Sequence, residues 1–121
     1  LQVFAILLKC TFPRNFKIIL KFKEFYPVIH PKAWIAPSAD LIGNIEIDED
    51  SSVWFGCVIR SDITKVRISK NTNIQDLSCI HTDTNSKTII GDNVTIGHKV
   101  ILHGCKIENN CLSKYERNYF R

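Results

Sequence analysis

A six-residue beat runs through the middle of this chain and restricts what it can fold into. Ile35, Leu41, Ile47, Val53 and Ile59 stand six positions apart without a miss. Four residues after each come Ala39, Ile45, Ser51, Cys57 and Ile63, of small to moderate size. A half-buried strand alternates with a period of two, and an amphipathic helix repeats at about 3.6. A beat of six with a sub-spacing of four sustains neither. It fits a triangular coil of three short strands and three corners, with the hexad residue filling the inside. Three hexads make one coil of about 18 residues. Turn formers stand where the corners belong, at Pro37-Ser38, Gly43-Asn44, Asp48-Glu49-Asp50, Gly91-Asp92-Asn93 and Glu108-Asn109-Asn110. The beat resumes at Ile68, Ile74 and Ile80, again at Ile90 and Ile96, and then at Ile101 and Ile107. The offsets between these groups, near Lys65 and across 81–88, mark loops leaving the coil. The fold expected is all-β, a parallel β-helix.

At 121 residues the chain supports a single domain with a thin core. Three segments differ in texture: 1–26 as an extension, 27–111 as the β-helix, and 112–121 as an off-pattern tail. The extension is rich in Phe, Lys and Ile, and reads as an amphipathic helix or a short strand pair divided by Pro13. The tail reads as a capping helix or as an unrelated end, and the β-helix as truncated at its C-terminal side. Lys9, Arg14, Lys17, Lys21 and Lys23 all precede the first acid, Glu24, and the rest of the chain is nearly neutral. No basic stripe with interleaved aromatics continues through the body, so a nucleic-acid partner is not expected. No span reaches the roughly 20 apolar residues of a membrane helix. Cys10, Cys57, Cys79, Cys105 and Cys111 are odd in number and form no CxxC pair, which points to reduced thiols and a cytoplasmic setting.

The histidines are the candidate chemistry. His98 lies two residues after Ile96 and His103 two after Ile101, so they fall on successive faces of the coil and diverge. His81 and His103 are 22 apart, one coil plus the residues absorbed by the 81–88 interruption. Those two can stack on one face, about 4.8 Å apart. Zinc is commonly held by three protein nitrogens with a fourth position for water. Two histidines from one subunit and His98 from a neighbour, repeated about a three-fold axis, would close a trimer with metal between subunits. His30, beside Pro31, reads as an ordinary surface residue.

The stretches IAPSADLIGNIEIDEDSSVWFGCVIRSD, TNIQDLSCIHTD and IGDNVTIGHKVILHGCKIENNC carry a family resemblance. In order they hold RxD, NIQD, a following His and IGHxxxLHGC, and they resemble the gamma-class carbonic anhydrases and their close relatives. The resemblance implies a left-handed parallel β-helix homotrimer with a metal at each subunit interface. It implies His81, His98 and His103 as zinc ligands, with iron or cobalt also able to use them. It implies Arg60 and Asp62 as an RGD-like element, with Arg60 in an inter-subunit salt bridge. It implies Gln75 beside the metal-bound water, and Asp76 positioning Arg60 or the interface. The activity implied is reversible hydration of carbon dioxide to bicarbonate. Ser61 stands where the element usually has glycine, and a turn needing positive φ there would resist it. The 81–88 interruption is short and lacks a glutamate-bearing acidic loop for proton transfer, with Asp83 the nearest substitute. The alternatives are a weakly active or inactive trimeric scaffold and, with less support, a hexapeptide-repeat acyltransferase.

Overall fold

Short, branched, evenly spaced apolar residues favour strands, and strands of this length need neighbours on both sides to be stable. The computed structural model describes residues 18–113 and, for the backbone alone, 118–120. Among these, strands follow in the order β1 (Ile18–Leu20), β2 (Val28–Ile29), β3 (Trp34–Ile35), β4 (Asp40–Ile47), β5 (Ser52–Val53), β6 (Val58–Ile68) and β7 (Asn73–Ile74). They continue with β8 (Cys79–His81), β9 (Thr88–Ile90), β10 (Thr95–Ile96), β11 (Ile101–His103), β12 (Lys106–Ile107), β13 (Leu112–Ser113) and β14 (Asn118–Phe120). Every ladder between them is parallel. The result is a left-handed β-solenoid.

The three faces follow from the ladders. One five-stranded sheet, ordered β13-β10-β7-β5-β3, makes a face by itself. A nine-stranded sheet wraps the other two, because β4 and β6 each turn a corner without breaking. The turn falls at Gly43, where the register between the two strands shifts. Gly43 has φ +92°, and a Cβ there would lie 2.3 Å from the carbonyl oxygen of Ser61. Both the conformation and the contact require glycine.

The hexad residues stack inside in three columns. Ile35, Val53, Ile74 and Ile96 form one, and Leu41, Ile59, Ile80 and Leu102 the second. Ile47, Ile68 and Ile90 form the third, with Ile107 on top. All but Ile107 are buried. The coils are not uniform: Asp40, Val58, Cys79 and Ile101 are successive partners, so the steps are 18, 21 and 22 residues. The extra residues leave at the corner after the RxD element and after His81, where the beat was offset.

Two details of the beat are corrected. Leu102, six after Ile96, is the inward residue, and Ile101 is 40% exposed on the outer face. His103 therefore directly follows an inward residue, as His81 follows Ile80. Ile63 is 51% exposed, and Val66 takes its expected inner place opposite Ile45. The inserted residues in β6 push Ile63 outward.

Parallel pairing runs beyond 27–111 on both sides. β1 pairs with β4, β13 with β10, and β14 with β11. The described part of the extension is thus β1 followed by a turn, and the described part of the tail is strand, where a helix was one expectation. Residues 1–17, with Pro13 and Cys10, lie outside the described residues. The described cysteines, Cys57, Cys79, Cys105 and Cys111, are all free thiols.

Candidate functional site

The wrap of the coil divides the predicted site residues between two faces. On the β4–β6–β8–β11 face, Ile42, Arg60, His81 and His103 are register partners in successive coils, so their side chains share one outward column. The His81 and His103 ring centroids are 5.1 Å apart. That is one strand spacing, and it results from the 22-residue step.

Asp62, two residues beyond Arg60 on β6, reaches this column. Its Oδ1 lies 2.8 Å from His81 Nε2. Its Oδ2 lies 3.8 Å from Arg60 Nε. Burial pushes the Asp62 carboxyl up, but the hydrogen bond to His81 and the Arg60 charge outweigh it and hold the pKa below the usual aspartate value. The carboxylate is therefore ionised and orients the imidazole. Sequence reading treated Arg60 and Asp62 as one element and gave no sign that Asp62 touches His81. The only signal was their 19-residue separation, close to one coil.

Ser61, between them, lies in extended strand and is buried. Its φ is not positive, so the expected resistance of the turn to a side chain does not arise. Its hydroxyl donates to the Asn44 carbonyl at 2.7 Å and also contacts the Thr64 carbonyl. Asp83 is engaged in its own loop, where Oδ1 accepts from the Asn85 N–H at 3.0 Å.

The other half lies on the five-stranded face and its corner. Gln75 and Asp76 follow β7, and His98 follows β10 one coil above. His98 Nδ1 is 3.4 Å from Asp76 Oδ1. Gln75 Nε2 donates to Asn73 Oδ1 at 3.1 Å, and Asn73 Nδ2 donates to Thr95 Oγ1 at 3.1 Å. The Gln75 amide thus faces Asn73 and is tied through it to Thr95. Ser52, Trp54, Asn73, Gln75, Asp76 and His98 line an open cleft of about 470 Å³. Within one chain Asp76 meets His98, and Arg60 lies on the other sheet.

Among the described residues, no group of three or more His, Cys, Asp or Glu side chains in one chain is placed to hold a metal. One chain brings together His81 and His103 with Asp62 behind His81, and carries His98 on a different face. Two stacked imidazoles, one fixed by a carboxylate, are the donors a divalent metal uses with a second-shell partner. They fit two of the three protein positions of a zinc set.

Apolar surface flanks both halves. Val58 and Ile101 are exposed beside the histidine column, and Trp34, Trp54, Phe55 and Leu77 beside the cleft. The Trp34 and Trp54 rings are 4.7 Å apart, and Trp34 and Phe55 are 5.9 Å apart.

No family model matches the chain. It is 46% identical over 89 residues to gamma carbonic anhydrase 1, mitochondrial, of Arabidopsis thaliana, a match covering 69% of this chain and 32% of that protein. It is 47% identical over 93 residues to the uncharacterized transferase YtoA of Bacillus subtilis, covering 77% of this chain and 54% of that one. Among solved structures, a hexapeptide transferase family protein from Anaplasma phagocytophilum superposes with a TM-score of 0.70 at 38% identity, covering 74% of this chain and 52% of that chain. The chain is a member of the hexapeptide-repeat, left-handed β-helix superfamily. Its relatives include both carbonic anhydrases and transferases. This hexapeptide-repeat chain spans about a third of the plant relative's length and about half of the bacterial one's.

Proposed function

We propose that this hexapeptide-repeat protein assembles as a homotrimer that binds zinc at its subunit interfaces and serves first as a scaffold, with weak hydration of carbon dioxide as its chemistry. The observation that carries the reading is the division of the site. His81 and His103 stack on one face with Asp62 behind His81, and His98 stands on another. A three-fold assembly brings the His98 corner of one copy against the histidine column of the next. The apolar residues flanking both halves are then buried together.

Zinc, if held by His81 and His103 of one copy and His98 of its neighbour, would supply a water acidified to about neutral pH. Iron or cobalt suits the same nitrogens. The chain's own residues do the rest. Asp62 fixes the His81 tautomer. Gln75, held through Asn73 and Thr95 in the cleft lining, would orient that water. Arg60 and Asp76 position the interface. Slow turnover follows from Asp83, whose carboxylate closes its own loop instead of carrying protons to buffer.

The test is mass by light scattering together with metal content. A trimer with about one metal per subunit supports the reading; a metal-free monomer overturns it. Mixing adds a sharper arm. His81→Ala and His98→Ala subunits should each lose metal alone, and should regain a fraction of sites when refolded together, because each supplies the half the other lacks.

A second reading has one observation in its favour. The Asp76–His98 pair at the cleft is a carboxylate-oriented imidazole, the form of a general base for acyl transfer to a hydroxyl. Binding of acetyl-CoA in the cleft, lost in His98→Ala, would favour it.

A further inference from the structure

The metal site makes no use of the basic, aromatic stretch at the N-terminal side of the solenoid. After β1 the chain reverses through a tight turn in which Phe22 and Phe25 exchange backbone hydrogen bonds of 2.8 and 3.0 Å. Lys23 in this turn has φ +54°. Every residue of 20–26 is exposed, and buried Pro27 marks the return to the core. Phe22, Phe25 and Tyr26 expose 38%, 43% and 57% of their surface, and Leu20 and Val28 add 49% and 66%. Single exposed apolar residues are ordinary, but five exposed within nine positions mark an interaction surface. A turn exposed along its whole length presents side chains outward and encloses no ligand.

Charge decides the partner. Lys21 and Lys23 flank Phe22, and the Lys23 ammonium lies 5.8 Å from the Phe22 ring centroid. Before Asp40 the sequence holds six Lys and Arg and one acid, Glu24. Lysine stems lie along apolar surface while their ammonium groups reach for negative charge. Aromatic rings favour the water–lipid boundary, and basic residues beside them are drawn to anionic headgroups. Leu20 and Val28 cannot stack on nucleobases but can enter acyl chains.

We propose that the 20–28 turn docks this protein on the surface of an anionic lipid bilayer. Phe22, Phe25 and Tyr26 enter the headgroup boundary, and Lys21 and Lys23 face lipid phosphates. The solenoid stays in water, as a peripheral attachment and not a span. This docking does not depend on the metal reading.

Flotation of the full chain with vesicles tests it, using phosphatidylcholine alone and phosphatidylcholine mixed with phosphatidylglycerol. The chain should float with the mixed vesicles and not with the neutral ones, and should be released by added salt. The double variants Phe22→Ser/Phe25→Ser and Lys21→Glu/Lys23→Glu should each weaken flotation by about tenfold or more with unchanged far-UV circular dichroism. The lysine pair, fully at the surface, carries the test if the phenylalanine pair misfolds. Three results overturn the proposal: no binding to the mixed vesicles, equal binding to neutral ones, or wild-type binding by the lysine variant. Self-association without lipid that the phenylalanine variant abolishes would also overturn it, by giving the turn to a second copy.

Discussion

Backbone conformation at single corners separates what side chains want from what the coil demands. At one corner of four successive coils the second residue has positive φ, and there the chain places Asp50, Asn71, Asn93 and Asn110. Asn and Asp tolerate the left-handed region. The asparagines also form a ladder, with Asn71 donating to Asn93 at 2.8 Å and Asn93 to Asn110 at 3.2 Å. At the corner that carries the candidate site the same conformation falls on Gly56, Leu77 and Lys99. Leu77 has φ +66° and is 58% exposed, so it bears strain with little burial to offset it. Leu77→Asn should raise the stability of the isolated chain by about 1 kcal/mol in urea unfolding. If the trimer forms as proposed, the same variant should weaken it by removing apolar surface beside His98 and Asp76. The corners at Asp50, Asn93 and Asn110 were legible because the residue type advertises the conformation. Leu77 was not, because nothing in a leucine signals a left-handed backbone.

At the scale of strands, the hexad columns hold the elements together. Ile74 is fully buried between Val53 and Ile96, with a neighbour above and below. Ile74→Ala should cost about 2–5 kcal/mol, measured by chemical denaturation. The phase of the columns was readable wherever a single apolar residue competed for the inside. It failed at Ile101 and Leu102, and at Ile63 and Val66, where two apolar residues stand close together and an insertion precedes them. Strand pairing settles the choice there, and pairing is not a local property. The outer face of β4 and β6 carries an ion-pair cluster. Glu46 accepts from Lys65 at 2.6 Å and also contacts Arg67, and Arg67 reaches Asp48 at 3.5 Å. The Lys65 hydrogen bond, with Arg67 adding to it, outweighs desolvation and holds the Glu46 pKa below its ordinary 4.5. A carboxyl with a lowered folded pKa adds stability above its unfolded value and loses it as pH falls through the folded one. Denaturation midpoints of the wild type should therefore fall on acidification below about pH 4.5, and those of Glu46→Gln should fall less steeply. The effect is small, because all three side chains are partly exposed and solvent screens them.

For the molecule as a whole, the prism decides what can be a site. Faces that point apart cannot bring His98 to His81 and His103 within one chain, so the proposed metal binding would be a property of an assembly. The mixed His81→Ala and His98→Ala refolding is the prediction that belongs to this scale. Repeat architecture also leaves each coil dependent on its neighbours. Loss of one coil's packing should lower the melting temperature of the whole array cooperatively, read as one calorimetric transition.

The sequence alone determined the β-helix, its corners at Asp50, Asn93 and Asn110, and that His81 and His103 share a face. It could do so because a six-residue beat has only one efficient way to bury its apolar residues, and the count between His81 and His103 is close to a whole coil. The tertiary structure decided that Asp62 holds His81, that Asp76 lies beside His98, and that Leu102 and not Ile101 faces inward. These depend on residues about 20 positions apart coming into register. Register is set by insertions at the corners, whose path is fixed only when the coils above and below are in place.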